Sequence, residues 1–245
     1  MDNFDDENLK NIIEELICET YNFVVNNLSE DETFEIRTSC FMELKNENKQ
    51  ASEEEVTERS ILNIKEECEK QLLIALSEGK TAQLCDELGY DVVTTQNIGI
   101  IIERLVGIVA KEVKKTLKAK YIICLPVELI SKFDYLALQE IKDSMLPCID
   151  LLLEFEIINA TQENRIDKFK DRLKVKVKIN NKTNFIFSTI HFNCVFFDEN
   201  GKTIDVEEDW IHNQMRKTEE FGKLSFDMPE NATNYKIHIC DVRIR

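Results

Sequence analysis

The spacing of apolar residues changes once along the chain, close to Pro147, and this change constrains the fold more than any other feature. Before Pro147, apolar residues recur every three or four positions, as on the buried face of an α-helix. After it they alternate with polar residues, as in "LKVKVKI" at 173–179, which is typical of a strand with one buried face. The sequence therefore predicts an α+β protein with two domains: an acidic all-α domain at 1–147 and an antiparallel β domain at 148–245.

About five helices are predicted in the N-terminal domain, and two of them begin at a capping box. Ser29 is followed by Glu32, and Ser52 by Glu55, so each pair can satisfy free backbone N–H groups at a helix start. The segment "TFEIRTSCFMELK" at 33–45 fits either a strand or a helix by its apolar spacing, and the preceding capping box favours the helix. One further helix is predicted between Pro126 and Pro147.

The C-terminal domain is predicted to contain strands of alternating pattern joined by polar turns such as "INNKTN" and "FDENGK". This arrangement is typical of a β-sandwich or a barrel. Between two of the predicted strands lies a charged insertion, "DVEEDWIHNQMRKTEEFG" at 205–222.

Residues 175–204 and 224–239 resemble bacterial immunoglobulin-like sandwich modules of the FxLYD type. In those modules a strand ending in Asn-Asn precedes a central strand, an aromatic-Asp-x-x-Gly turn, and a last strand after a proline and a tyrosine. The matching residues here are Asn180, Asn181, Phe197, Asp198, Gly201, Pro229 and Tyr235. The resemblance implies an immunoglobulin-like β-sandwich that mediates interactions or spaces other domains, and it implies no catalytic residue. The insertion at 205–222 is longer than the resemblance leads us to expect.

The charge of the chain is concentrated at one end. Residues 1–100 contain 24 acidic and 8 basic residues, a net charge of −16, whereas residues 101–245 contain 23 of each. Such a surface either keeps the protein soluble or binds a basic partner. Eight glutamates lie off the apolar stripes of the predicted helices, so we expect them to be exposed and to contact that partner: Glu14, Glu15, Glu19, Glu53, Glu54, Glu58, Glu66 and Glu69.

A second predicted contact is an apolar group inside the charged insertion, made of Trp210, Ile211 and Met215. Large apolar side chains in such a segment either cap the β domain or form an exposed hot spot for a partner. We include all three residues among the predicted partner-binding positions.

No catalytic, cofactor-binding or metal-ligating motif is recognisable, so the sequence predicts no catalytic residue, no cofactor and no metal. The segment "SEGKTAQ" lacks the earlier glycine that a phosphate-binding loop requires. The three histidines do not have metal-ligand spacing. A dyad between Cys194 or Cys240 and His191 or His238 remains conceivable in space.

The chain is predicted to be a reduced cytoplasmic protein without a membrane partner. Its acidic start is unlike a signal peptide, no stretch is long and apolar enough to span a bilayer, and its eight cysteines include no C-x-x-C pair. Residues 81–100 faintly resemble a helix-turn-helix, but they contain three acids and no base, so direct binding to nucleic acid is not expected.

These observations favour a non-enzymatic protein that binds a basic protein. An immunity protein, antitoxin or inhibitor fits best, including a phage-encoded mimic of nucleic acid. The alternatives are a structural or adaptor subunit of a larger complex and an enzyme with an unrecognised site. The oligomeric state is left open.

Overall fold

The computed structural model describes residues 6–47, 51–90, 94, 97–163, 171–214 and 218–245. By its internal contacts the chain divides into two compact units, Met1–Tyr121 and Ile122–Arg245. None of the helices within these described ranges is long and apolar enough to cross a membrane.

The first unit is helical. Its helices are α1 (Asp6–Asn26), α2 (Glu30–Asn46), α3 (Glu53–Ser77), α4 (Lys80–Glu87) and most of α5 (Ile98–Cys124). Both predicted capping boxes form: the Glu32 backbone N–H donates to Ser29 Oγ at 3.1 Å, and the Glu55 N–H donates to Ser52 Oγ at 3.3 Å. The ambiguous segment 33–45 lies within α2, so the helical alternative is confirmed.

One apolar core joins all five helices. Its largest buried residues are Leu16, Val24, Ile36, Leu44, Val56, Ile64, Leu72, Leu84, Leu105, Val109, Val113 and Leu117. Ion pairs at the edge of this core connect α5 to α2: Lys114 Nζ lies 3.0 Å from Glu32 Oε2, and Lys118 pairs with Glu35. These partly buried pairs are shielded from solvent better than surface pairs, so they help to fix the position of α5.

The second unit begins with short helices. These are α6 (Val127–Ile130), α7 (Tyr135–Met145), a 3₁₀ turn at Leu146–Cys148 and α8 (Ile149–Leu152). The single helix predicted between Pro126 and Pro147 is therefore two helices. The break arises because the Asp134 side chain accepts from the Ala137 backbone N–H at 2.9 Å, which caps a new helix start. The sequence predicts a domain boundary at Pro147, whereas the compact units divide between Tyr121 and Ile122. The boundary at Pro147 stays a prediction.

Six antiparallel strands follow, in agreement with the predicted antiparallel β part. They are β1 (Leu153–Glu163), β2 (Asp171–Asn181), β3 (Phe187–Phe197), β4 (Thr203–Gln214), β5 (Glu219–Met228) and β6 (Asn234–Ile244). They form two three-stranded sheets with the orders β1-β2-β5 and β4-β3-β6. The predicted succession of a helical part and an antiparallel β part is confirmed.

The described residues of the segment 205–222 are not a loop insertion, because residues 205–214 belong to β4 and residues 219–222 to β5. The alternation of apolar and polar residues that marks a strand is interrupted here by four acidic residues: Asp205, Glu207, Glu208 and Asp209. Charge of this kind is common on edge strands, where it discourages pairing with other chains. β4 is such an edge.

The two sheets contact one another through apolar side chains. Phe155 on β1 meets Phe192 on β3 edge to face, with ring centroids 5.6 Å apart. Ile211 on β4 lies over Gly222 on β5, where an added Cβ would be 2.1 Å from Ile211 Cδ1. Only glycine leaves room for this contact. The core between the sheets also contains Leu173, Val175, Val177, Ile179, Phe187, Ile190, Phe196, Leu224, Phe226 and Val242.

Candidate functional site

All eight glutamates predicted to meet a partner are exposed. Glu14, Glu15 and Glu19 lie on α1, and the other five lie on α3. Within the described part of the chain, two of the eight have ion pairs: Glu14 with Lys10 at 4.0 Å and Glu53 with Arg37 at 3.4 Å. The remaining charges face solvent, where they can act on an approaching partner.

On α3 these acids alternate with exposed leucines. Glu58, Leu62, Glu66, Glu69 and Leu73 follow one another at intervals of four, four, three and four residues, so they form one line along the helix surface. We call these five residues the α3 stripe. Leu62 is 49% exposed and Leu73 45% exposed. The sequence alone indicated the acids of this stripe but not its leucines, whose exposure depends on how α3 packs.

Glu67 lies on the buried face of α3 and differs from its exposed neighbours. Its side chain is only 3% exposed. It accepts a hydrogen bond from Gln71 at 2.8 Å and pairs with Lys120 at 3.3 Å and Lys70 at 3.6 Å. Burial by itself raises the pKa of this carboxyl, but the Gln71 hydrogen bond and the two lysines outweigh it, and the pKa is lowered. Glu67 is therefore an internal charge of the helical unit.

The predicted apolar group in the insertion is split between two faces of β4. Trp210 is 50% exposed on the outer face, whereas Ile211 is 8% exposed and packs into the core against Gly222. Successive residues of a strand point to opposite faces. Trp210 can therefore meet a partner, and Ile211 is occupied inside the protein. Met215 lies outside the described residues.

Substitution of these two neighbours should have unequal effects on stability. We expect Ile211→Ala to lower the free energy of unfolding by about 2–4 kcal/mol, because it leaves a cavity over Gly222. Trp210→Ala should cost less than about 1 kcal/mol, since half of the ring is already in water. Urea unfolding of both variants measures the difference. Equal losses would mean that Trp210 is as much a part of the core as Ile211.

The three histidines of the chain share the outer face of the β4-β3-β6 sheet, a grouping that sequence spacing did not reveal. On β3, His191 lies opposite Trp210 of β4, and their ring centroids are 6.1 Å apart. His212 forms a hydrogen bond with Thr189 Oγ1 at 3.2 Å, and His238 lies opposite Asn193. We call this the histidine face.

Two buried polar atoms at the centre of the histidine face have no hydrogen-bond partner among the described residues, namely His191 Nε2 and Asn193 Oδ1. Buried polar atoms are nearly always paired in proteins, so two neighbouring exceptions are informative. Together with the half-exposed Trp210, they make this face a second candidate contact surface.

Cys194 cannot form the catalytic dyad that the sequence left open, because it lies on the other face of the sheet from the histidines. Cys194 lies on the inner face of β3, whereas His191 and His238 lie on the outer face. Burial, followed by the charge of Glu207, raises the pKa of the Cys194 thiol to about 12. Burial also raises the pKa of Cys240, aided by Glu208 and Asp241. A reactive cysteine needs the opposite shift.

No group of three or more His, Cys, Asp or Glu side chains within the described ranges could hold a metal ion. A comparison with known protein families finds no model that matches the chain, and a comparison with curated proteins finds no match. The α3 stripe and the histidine face are thus identified by their chemistry alone.

Proposed function

We propose that the protein binds a basic protein partner through the helical unit. The observation that carries this proposal is the α3 stripe, in which Glu58, Glu66 and Glu69 flank the exposed Leu62 and Leu73. A surface of this composition suits a partner segment with lysines or arginines around apolar side chains. The acids speed the encounter, and the leucines supply the apolar contacts that slow dissociation.

An inhibitor, antitoxin or immunity protein is the class that this surface supports best, and a mimic of nucleic acid belongs to the same class. The acids of α1 extend the negative surface beyond α3. A charge of −16 within the first 100 residues is larger than solubility requires for a domain of this size. A reducing cytoplasmic location fits eight cysteines that form no disulfide.

The experiment uses a helical peptide of lysine and leucine as a defined basic probe. Stopped-flow association should slow at least tenfold between about 0.01 M and 0.15 M salt, because the Debye length falls from about 30 Å to about 8 Å. The variant Glu54→Lys/Glu58→Lys/Glu66→Lys/Glu69→Lys should slow association further, and Leu62→Ser/Leu73→Ser should mainly raise the dissociation rate.

A matched control reverses four exposed acids of the second unit, Glu128, Glu140, Glu199 and Glu230, all to lysine. Both quadruple variants change the net charge equally, so only the location of the charge differs. If the control slowed association as much as the α3 variant, the net charge and not the stripe would attract the probe. That result would refute the proposed surface.

We also propose that the two sheets form an immunoglobulin-like sandwich. Support comes from the sheet orders β1-β2-β5 and β4-β3-β6, because the chain crosses from the first sheet to the second after β2, back after β4 and again after β5. The contact between Phe155 and Phe192, which joins the two sheets, is further support. Domains of this architecture commonly serve as binding or spacing modules.

The second candidate function is that of an adaptor subunit, and the histidine face favours it. Trp210 is of the residue type most enriched at interface hot spots, and beside it lie two buried polar atoms, His191 Nε2 and Asn193 Oδ1, without a hydrogen-bond partner among the described residues. Under this alternative, Trp210→Ala would abolish assembly with the partner, whereas the α3 quadruple variant would leave assembly intact.

A further inference from the structure

A cluster of cations lies on the outer face of the β1-β2-β5 sheet, away from the acidic helices in sequence. A cavity of about 480 Å³ on this face is lined by Arg172, Lys174, Lys176 and Lys223, with polar groups from Asn159, Thr161 and Ser225. Among the lining residues that the structure describes there is no carboxylate. In a chain of net charge −16 this is an unusual concentration of positive charge.

The strand register explains how the cluster arises. On β2 the lysines alternate with buried Leu173, Val175 and Val177, so they all point outward. The pairing of β2 with β5 puts Lys176 directly opposite Lys223, and Lys174 opposite Ser225. β1 adds Asn159 opposite Lys176 and Thr161 opposite Lys174. Two adjacent rows across these three strands therefore carry donors and no acid, and beside them lies Asp209 of β4, whose carboxylate accepts from the Ser225 backbone N–H at 2.7 Å.

Two features of this cavity favour the binding of an anion. Like charges directly opposite one another on antiparallel strands are destabilising, and neither Lys176 nor Lys223 has an ion pair within the described ranges, although Lys176 lies 5.2 Å from the ring centre of Phe221. Ser225 Oγ is buried and has no hydrogen-bond partner among the described residues. A bound oxyanion would neutralise the two opposed lysines and accept a hydrogen bond from Ser225 Oγ.

The flanking rows limit the size of the ligand. At one end Arg172 is paired with Asp227 at 3.2 Å and Lys174 with Glu163 at 2.8 Å. At the other end Lys178 is paired with Glu219 at 2.8 Å. An extended polyanion such as a nucleic-acid strand would have to cross these carboxylates, whereas a compact anion fits between them.

We propose that this cavity binds a phosphate group of a small ligand or of a phosphorylated side chain. Lys176 and Lys223 supply the charge, Lys174 lies at the rim, and the hydroxyls of Ser225 and Thr161 donate hydrogen bonds to the phosphate oxygens. A phosphate carries up to two charges and several acceptor oxygens within one compact group, which matches paired lysines with adjacent hydroxyl donors. This site is separate from the α3 stripe and does not depend on it.

The test measures thermal unfolding of the full-length protein in inorganic phosphate, with sodium chloride added to keep the ionic strength constant. At a phosphate concentration about tenfold above the dissociation constant, the unfolding temperature of the second unit should rise by about 5 °C. Lys176→Gln/Lys223→Gln should abolish this rise. Without phosphate the same variant should be at least as stable as the wild type, because the repulsion is gone.

Lys236→Gln is the control, since Lys236 is an exposed strand lysine of the other sheet. It should keep the full response to phosphate. Ser225→Ala should weaken phosphate binding about tenfold and should not lower the stability of the phosphate-free protein. Loss of a hydroxyl with a structural role would instead lower the stability of the phosphate-free protein. A wild type that responds equally to phosphate and to matched chloride, or a double lysine variant that keeps its response, would overturn the site.

Two further titrations distinguish the sources of the phosphate. A nucleoside monophosphate and a phosphoserine peptide are compared with inorganic phosphate by calorimetry. Whichever binds more tightly identifies the source, and equal affinities identify inorganic phosphate itself. Binding of the unphosphorylated peptide or the nucleoside with the same affinity as their phosphorylated forms would refute the proposal.

Discussion

A fragment of residues 122–245 is expected to fold by itself, whereas a fragment of residues 148–245 is not. The shorter fragment contains all six strands but lacks α6 and α7. The structure divides at Tyr121 and Ile122, and the sequence predicts a boundary at Pro147. Expression of the two fragments distinguishes these two boundaries.

The physical reason is that α7 and the residues around it contact the strands. Met145 is completely buried at the end of α7. Lys142 Nζ lies 2.8 Å from Asp241 Oδ1 on β6. The Asn184 side-chain amide donates to the Leu125 carbonyl at 2.8 Å, in the loop between β2 and β3. Removal of residues 122–147 takes away all of these contacts and exposes apolar surface to water.

Each loss is moderate, but together they approach the whole stability of a small domain. Loss of a buried methionine costs about 2–5 kcal/mol, and a domain of this size is stable by about 5–15 kcal/mol. We expect 148–245 to show no cooperative unfolding transition, and 122–245 to show one. Met145→Ala in the longer fragment should lower the free energy of unfolding by about 2–5 kcal/mol. A cooperative, soluble 148–245 fragment would establish the boundary at Pro147 instead.

Those parts of the fold that depend on local chemistry are predictable from the sequence. Helix starts at Ser29 and Ser52 followed from side chains three residues away, and the strands β2 and β3 followed from strict alternation. Elements with an ambiguous local pattern are not predictable in this way. The strand β4 could not be recognised because its acidic residues interrupt the alternating pattern. The helix break at Asp134 could not be recognised because apolar residues continue at helical spacing on both sides of it.

Some residues of the candidate surfaces could also be predicted from local sequence, and others could not. Exposure of the eight glutamates could be read from helical periodicity, because it needs only one helix at a time. The histidine face and the pairing of Lys176 with Lys223 depend on strand register, which links residues far apart in the chain. Register is fixed by the packing of whole sheets, so a single sequence does not indicate it.

Removal of both cationic partners of Glu67 should destabilise the helical unit more than removal of the carboxylate itself. In Lys70→Met/Lys120→Met, the buried carboxylate keeps its hydrogen bond from Gln71 but loses both charges. An unpaired buried charge is costly, but solvent screens the lysines, whose side chains are 62% and 40% exposed, so we expect the free energy of unfolding at neutral pH to fall by about 1–3 kcal/mol. Adding Glu67→Leu to this variant should recover most of the loss, since no buried charge then remains.

The pH dependence of the same variants gives an independent measurement. In the wild type the lysines and Gln71 outweigh burial and hold the pKa of Glu67 below its ordinary value of 4.5. Its stabilising contribution is therefore present above pH 4.5 and is lost as the pH falls through the lowered pKa. Glu32 loses its contribution in the same range, because Ser29 and Lys114 outweigh burial there and lower its pKa as well.

In the double lysine variant the pKa of Glu67 should shift in the opposite direction. With both lysines gone, burial dominates and raises the pKa of the carboxyl above its unfolded value. Protonation then relieves the buried charge, so the penalty of the substitution should shrink as the pH is lowered toward 4.5. Urea unfolding followed by far-ultraviolet circular dichroism at several pH values measures this. Lys111→Met, at an exposed position on α5, serves as the control and should cost less than about 0.5 kcal/mol at every pH. A penalty in the double variant that stayed constant or grew as the pH fell would show that Glu67 is not held as a buried anion by these lysines.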